Sequence, residues 1–515
     1  MEIRSSFPDR DNRGLLDRRL PGLLLLAGLV GTIPFVRSLY VPDLNWCYPY
    51  LASDAYDWIN NGLYWAGLPV LPSFRPPGLP LVITLLYRLE LLSWLPILNV
   101  LVLGATALLL FCLLRARFSP AVSALTAWVF YSNGFVQDFV RWIFAEIWAI
   151  PFLILAAILF RRAEARPLSY VGFGLAVGIS FLFHYAALPA GIGFAVAIIL
   201  TRRQDLKRRQ LWIGAALAAI PPAIWLAVRW RYARLHPGAP AHGVEALLRF
   251  VPENVPFFLF AGLALLGIGV LPLYAAGVLS CLGRSKDEER LLRGLFVPVL
   301  AMLGLFFGFF YDWTDKRFLL YLFPFVLGFF ALGVERLLAW GRKSRGPRIV
   351  AAGYLLFALA WNQIAYPPYG IGFLALTPRD FLEASSENNV KGKTTLFLVG
   401  ARVLRVHVRI RDAFRGGLFD FSLLPSGCSL EGPAYSRLPE LKWRLDALLV
   451  PGAPVGMERL PGWPPDNWGS LNRMSNILGR PVILPSLAPC RIAPGPVAGL
   501  REAFAVGPYS VDCRE

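Results

Sequence analysis

The sequence predicts a polytopic α-helical membrane protein with a smaller mixed α/β domain at its C-terminal end. Three observations lead there. The chain of 515 residues is 56% hydrophobic and only 16% charged, with a mean hydropathy of +0.53, a balance foreign to ordinary soluble domains. Several apolar runs reach the ~20 residues needed to cross a bilayer. From Pro367 onward those runs stop, and polar residues, Gly and Pro become more frequent.

Taken in order, residues 1–19 are rich in Arg and Asp and are read as a cytoplasmic N-terminus. Leu20–Tyr40 is the first span. It has no clear small-residue cleavage site, which favours a retained helix over a signal peptide. An outer loop, residues 41–92, follows. Its last part, Leu79–Leu92, is apolar but carries Arg88 and Glu90 and is too short to cross comfortably, so it reads as an interfacial or re-entrant helix. With that choice, loop Lys and Arg residues fall on the cytoplasmic side along the whole chain. Trp94–Leu114 runs in to Arg115 and Arg117, Ser119–Val136 runs out, and Val140–Phe160 returns to Arg161, Arg162 and Arg166. Leu168–His184 goes out and Ala186–Leu200 comes in to the basic loop TRRQDLKRRQ. Leu211–Val228, Val255–Leu282, Gly294–Tyr311, Phe318–Trp340 and Ile349–Tyr366 continue the alternation. The count is about eleven spans, N-terminus inside and C-terminus outside.

Residues 20–366 thus form the membrane module of a multi-pass plasma (inner) membrane protein, and 367–515 an extracytoplasmic domain. The tail is long enough for a small domain, and its segment KTTLFLVGARVLRVHVRIRDAF begins with strand-like alternation. Cys428, Cys490 and Cys513 lie there, and an oxidising compartment permits one disulfide among them or with Cys47; the pairing stays open. The six cysteines show no CxxC and no Cys/His spacing of a structural zinc site. A net charge of +18 would suit nucleic acid or anionic lipid, but basic cytoplasmic loops account for it. Membrane lipid is the expected surroundings, and no nucleic-acid partner is inferred.

Two acidic groups fall on the outer face. Asp54 and Asp57 stand in SDAYDWINNGLYW, where a spacing of three puts both on one side of a short helix. Ser53 and Asp54 would equally suit a helix N-cap. Asp138 and Glu146 form the second group, with Glu146 in VRWIFAEIWAIPF, expected a turn and a half inside a span. An ionisable group there costs ~2.5–3.5 kcal/mol and faces a cavity or a partner. Arg141 is one partner in reach, though not ideally spaced. Cations also gather on this face against the charge rule: Arg75 beside two prolines, Arg229, Arg231 and Arg234 after the seventh span, and Lys316 and Arg317 in the short loop YDWTDKRF. Arg suits phosphate through its bidentate fork, and interfacial cations also anchor head groups. His184 closes a span on the same face, where a lone histidine is ordinarily a packing residue. The chain has no Walker loop, no GxGxxG after a strand and no GxSxG, so cytosolic nucleotide chemistry has no visible site.

The order of these features resembles the lipid-dependent membrane glycosyltransferases of the GT-C superfamily, most nearly the bacterial branch related to protein O-mannosyltransferases and aminoarabinose transferases. The resemblance is carried by Asp54 with Tyr56, by Arg75-Pro76-Pro77-Gly78, by the Arg141-to-Glu146 spacing, and by Lys316–Leu338, which is similar to a late helix of these enzymes. It spans roughly the first two thirds of the chain. It implies a GT-C-like fold and transfer of a sugar from a polyprenyl-phosphate (or pyrophosphate) donor to an acceptor hydroxyl of a glycan, lipid or protein. Carried over, Asp54 is the general base or its close supporter, with Asp57 beside it, and Glu146 a second acid that positions acceptor or sugar. Arg75, Lys316, Arg317 and Arg231 hold the donor phosphate, while Tyr56, Asp138, Arg141 and His184 position substrate. Ala55 stands where many relatives have a second acid. That departure leaves open which carboxylate is the base and whether a divalent metal (magnesium or manganese) takes part, with Asp54, Asp138 and Glu146 as its candidate ligands. Two other classes compete: a transporter or flippase of lipid-linked sugars, which would favour inverted repeats and mid-membrane acids, and a non-catalytic scaffold of an envelope-polysaccharide complex.

Overall fold

The computed structural model describes residues 19–28, 75–89, 94–141, 144–235, 269–281, 292–309, 316–364, 438–449 and 453. It also describes strand residues 455–457, 482–483, 490–493, 501–506 and 509–513, and positions 32, 58, 61–62, 65–67 and 91. The described part is mostly helical. In chain order its helices are α1 (Arg19–Gly28), α2 (Gly78–Arg88), α3 (Leu95–Leu114), α4 (Pro120–Ser132) and α5 (Gly134–Arg141). Then come α6 (Glu146–Arg162), α7 (Ser169–Phe183), α8 (Ala187–Thr201), α9 (Arg209–Leu235) and α10 (Gly269–Cys281). After a π turn at Leu292–Phe296 follow α11 (Val297–Phe309), α12 (Leu319–Gly341), α13 (Arg345–Ile364) and α14 (Leu438–Leu448). Among the described residues, three stretches are long and apolar enough to cross a bilayer: Ile97–Leu114, Arg209–Val228 and Leu319–Gly341.

Helices α3, α4, α6, α7, α8 and α12 form the packed centre, and α9 lies against α7 with most of its length exposed. Small residues let their backbones meet, which is how helices associate where lipid competes with every apolar side chain. A Cβ on Gly174 of α7 would stand 1.8 Å from the carbonyl oxygen of Gly214 on α9, and one on Gly333 of α12 would stand 1.9 Å from the Leu273 carbonyl oxygen on α10. Aromatic rings fill the space between: Phe160, Phe173 and Phe194 meet at 5.3–6.2 Å. At the basic end, Asp205 is buried, taking the Tyr170 hydroxyl at 2.6 Å and Arg208 Nε at 2.8 Å, so the loop between α8 and α9 is tied to α7.

One expectation from the sequence is corrected. The apolar runs Ser119–Val136 and Val140–Phe160 read as two unbroken spans, but the chain is broken at Asn133 and again before Glu146. Ser119 caps α4, accepting from Val122 N at 3.3 Å. Asn133 ends it in an extended conformation, and its Oδ1 accepts from Phe135 N at 3.1 Å and Val136 N at 3.4 Å, starting α5. Glu146 therefore stands in the first turn of α6 and not a turn and a half inside a span. A carboxylate is favoured there, where the helix dipole is positive and backbone N–H groups lack partners. Arg229, Arg231 and Arg234, which the sequence places after the seventh span, lie on α9, which continues as helix to Leu235. At 27 residues it is ~40 Å long, beyond the ~30 Å of hydrocarbon, so its last turns leave the apolar layer.

Beyond the helices, five short strands form a mixed sheet in the order β2-β1-β3-β5-β4. These are β1 (Val455–Met457), β2 (Val482–Ile483), β3 (Cys490–Ala493), β4 (Arg501–Val506) and β5 (Tyr509–Cys513). β1 lies parallel to β2 and β3, while β5 is antiparallel to β3 and β4. Cys490 and Cys513, directly opposite across β3 and β5, are disulfide-bonded, which resolves one pairing that the sequence left open. Cys47, Cys428 and the strand expected in KTTLFLVG lie outside the described residues.

Candidate active site

The head of α6 meets the C-terminal end of α7 and the N-terminal end of α12, and each brings one charged or polar side chain. Glu146 is fully buried. Its Oε1 lies 3.5 Å from His184 Nε2 and 3.5 Å from Arg317 Nε. At that length these are charge contacts more than tight hydrogen bonds. His184 follows α7 in an extended conformation, and its Nδ1 accepts the Ala186 N–H at 3.1 Å. A neutral imidazole that accepts at Nδ1 carries its proton on Nε2, the nitrogen facing Glu146. Arg317 is 12% exposed, with its guanidinium over the rings of Phe144 at 5.4 Å and Phe318 at 5.5 Å.

The outer loop reaches the same place. Trp58 is buried, its ring 6.2 Å from that of His184, and Arg75 lies over Trp58 with Cζ 5.6 Å from the centroid. Tyr185 stacks on His184 at 4.4 Å, and Tyr321 stands 5.9 Å away. Two contacts fix this loop on α2. Thr84 Oγ1 donates to the Gly62 carbonyl at 2.9 Å, and Arg88 Nη2 donates to the Trp65 carbonyl at 3.3 Å.

Gly78 explains why Arg75-Pro76-Pro77 sits where it does. A Cβ at Gly78 would stand 2.8 Å from the Leu182 carbonyl oxygen and 2.9 Å from the Phe183 ring, so only glycine lets α2 start against the end of α7. Gly78→Val is expected to cost ~1–3 kcal/mol through overpacking, read as a lower thermal midpoint. It should also weaken use of any ligand that Arg75 holds; an unchanged midpoint would mean the two segments part without cost.

Of the residues singled out in the sequence, the structure thus gathers Glu146, His184, Arg317 and Arg75 into one cluster. Asp54, Tyr56 and Asp57 lie outside the described residues. Asp138 and Arg141 are on α5, Arg231 on the last turns of α9, and Lys316 in the turn before α12, each without a described side chain. His184, for which the sequence offers both packing and substrate positioning, turns a nitrogen to the buried acid. Trp58, Phe144, Phe318 and Tyr321 were not singled out. Tyr321 had a signal, since a residue four beyond Arg317 shares its helix face.

Among the described residues, no group of three or more His, Cys, Asp or Glu is placed to hold a metal ion. Glu146, a candidate ligand, has an imidazole and a guanidinium as its described charged neighbours. That surrounding suits an anion better than a divalent cation. Asp54 and the Asp138 side chain, the other candidates, lie outside what is described.

Apolar helices packed through glycine contacts, with a buried acid where three of them meet, make a helical fold that is shared with solved membrane-protein structures. The particular likeness is to ArnT from Cupriavidus metallidurans. The chain superposes on the crystal structure of ArnT bound to undecaprenyl phosphate over 93% of its length and 97% of that chain, with a TM-score of 0.53 at 12% identity. The apo state of ArnT gives a TM-score of 0.50 at 13% identity, over 94% and 98% of the two chains. No protein-family model and no curated protein sequence matches the chain.

Proposed function

We propose that this protein is a membrane glycosyltransferase that moves a sugar from a polyprenyl-phosphate-linked donor to an acceptor hydroxyl on the extracytoplasmic face of the plasma membrane, with inversion. The observation that carries the reading is the cluster of Glu146, His184 and Arg317, with Arg75 one aromatic ring away. The resemblance supplies a general base, Asp54 or its neighbour Asp57. It also supplies a membrane module of about eleven spans whose outer loop and tail share the outer face.

In this reading the acceptor hydroxyl gives its proton to the loop carboxylate as its oxygen attacks the anomeric carbon. The bond from that carbon to the phosphate oxygen breaks on the opposite side. One displacement without a covalent intermediate inverts the configuration. Negative charge gathers on the departing phosphate as the bond breaks, so cations fixed beforehand favour the transition state over the ground state. Arg75 and Arg317 fill that role, with Lys316 and Arg231 as further cations. Glu146 orients acceptor or sugar and keeps Arg317 and His184 in place, while Tyr56, Asp138 and Arg141 line the approach. The domain of residues 367–515 shapes the acceptor, since added domains and loops vary where substrate enters.

The test is release of free polyprenyl phosphate from a panel of polyprenyl-phosphate sugars by purified protein in nanodiscs. Release establishes the class and names the donor. No release from any donor, by protein shown to be folded, would overturn the proposal and favour transport. Within that assay Arg75→Ala should raise the donor KM by about tenfold, the loss of one charged hydrogen bond of ~1.5 kcal/mol, with a smaller change in turnover. Unchanged donor use would remove Arg75 from the phosphate site.

A further inference from the structure

Asn99 lies in the second turn of α3, buried among apolar neighbours. A polar amide in such a place costs stability unless its groups are paired, and both are. Nδ2 donates to the Val140 carbonyl at 3.0 Å, and Oδ1 accepts from Trp148 Nε1 at 2.8 Å. Val140 belongs to α5 and Trp148 to α6, so one amide clamps both sides of the turn from which Glu146 enters the site. Trp148 also stacks on Phe183 at 5.7 Å, the residue before His184. The clamp therefore touches the chain next to both members of the Glu146–His184 contact.

We propose that Asn99 is a positioning residue, holding the Glu146 carboxylate against His184 and Arg317 through Val140 and Trp148. Its part in turnover rests on the function proposed above. The geometric role can be read without it.

Asn99→Leu keeps an apolar side chain of similar size and removes both hydrogen bonds. Trp148→Phe keeps a ring to stack on Phe183 and removes one, and it serves where Asn99→Leu does not fold. Each is expected to lower turnover about tenfold through misplacement of the reacting groups, with the donor KM changed less than about twofold. A carboxylate drawn away from His184 and Arg317 loses contacts that orient it.

A second readout needs no turnover. The infrared carboxylate stretch of Glu146, isolated by subtracting the Glu146→Gln spectrum, should change frequency in Asn99→Leu relative to wild type. An unshifted band in the folded variants would overturn the positioning role, and so would a donor KM that changes as much as turnover. A shifted band together with wild-type protein that releases no lipid phosphate would support the geometric role and overturn the transferase reading alone.

Discussion

Glu146→Gln is expected to lower polyprenyl phosphate release by about 10²–10⁴-fold, the range for a carboxyl group that takes part in proton transfer or orients what reacts. The substitution keeps size and one acceptor oxygen but removes the charge at 0% exposure. His184 and Arg317 then both lose the charge of the carboxylate they face. A stability cost of ~1–3 kcal/mol should accompany the loss of activity, as for a buried charged group deprived of its charged partner. The thermal midpoint in nanodiscs reads the second effect and lipid phosphate release the first. Adding Arg317→Gln should restore part of the midpoint and none of the activity, since the two residues are coupled in stability but each has its own task in transfer. Full release by a folded Glu146→Gln protein would take Glu146 out of the site.

Asp54→Asn should lower release by a comparable factor, about 10²–10⁴-fold, by removing the base that accepts the acceptor proton. Asp54 lies outside the described residues, so its expectation rests on the motif order and on chain reach. It stands four positions before Trp58, at most ~14 Å of extended chain, and Trp58 packs near His184. Donor affinity should be nearly unchanged, because proton removal and phosphate binding involve different groups. Release retained in Asp54→Asn and lost in Asp57→Asn would move the base three residues along the loop.

Much of the fold could be read from hydrophobic runs, because an apolar stretch bounded by Arg and Lys needs no distant information. The helices ending at Leu114, Arg162, Thr201 and Gly341 follow this pattern. The two breaks around α5 were hidden for a physical reason. Residues 134–150 are largely apolar and aromatic, with Gln137, Asp138 and Arg141 scattered among them, and only Asn133 before them and Glu146 within them mark the starts of helices. Both residue types favour helix starts, a weak signal beside so much hydrophobicity. The cluster itself was legible only as a set of residues on one face. That Glu146 meets Arg317 is a matter of how α6, α7 and α12 pack, which brings together residues about 170 positions apart in the chain. Asn99 was hidden for the same reason, since it gains its meaning only from partners remote in the chain.

The meeting of Glu146 with Arg317 also has a consequence for how the protein is made. Arg317 leaves the ribosome about 170 residues after Glu146, roughly 10–30 s later at ordinary synthesis rates of ~5–20 residues per second. For that interval the acid waits without its guanidinium partner, having His184 as the earlier arrival. The pocket is therefore one of the last features of the helical part to close during biogenesis, and a nascent chain stalled before residue 317 would hold an inserted but unfinished centre.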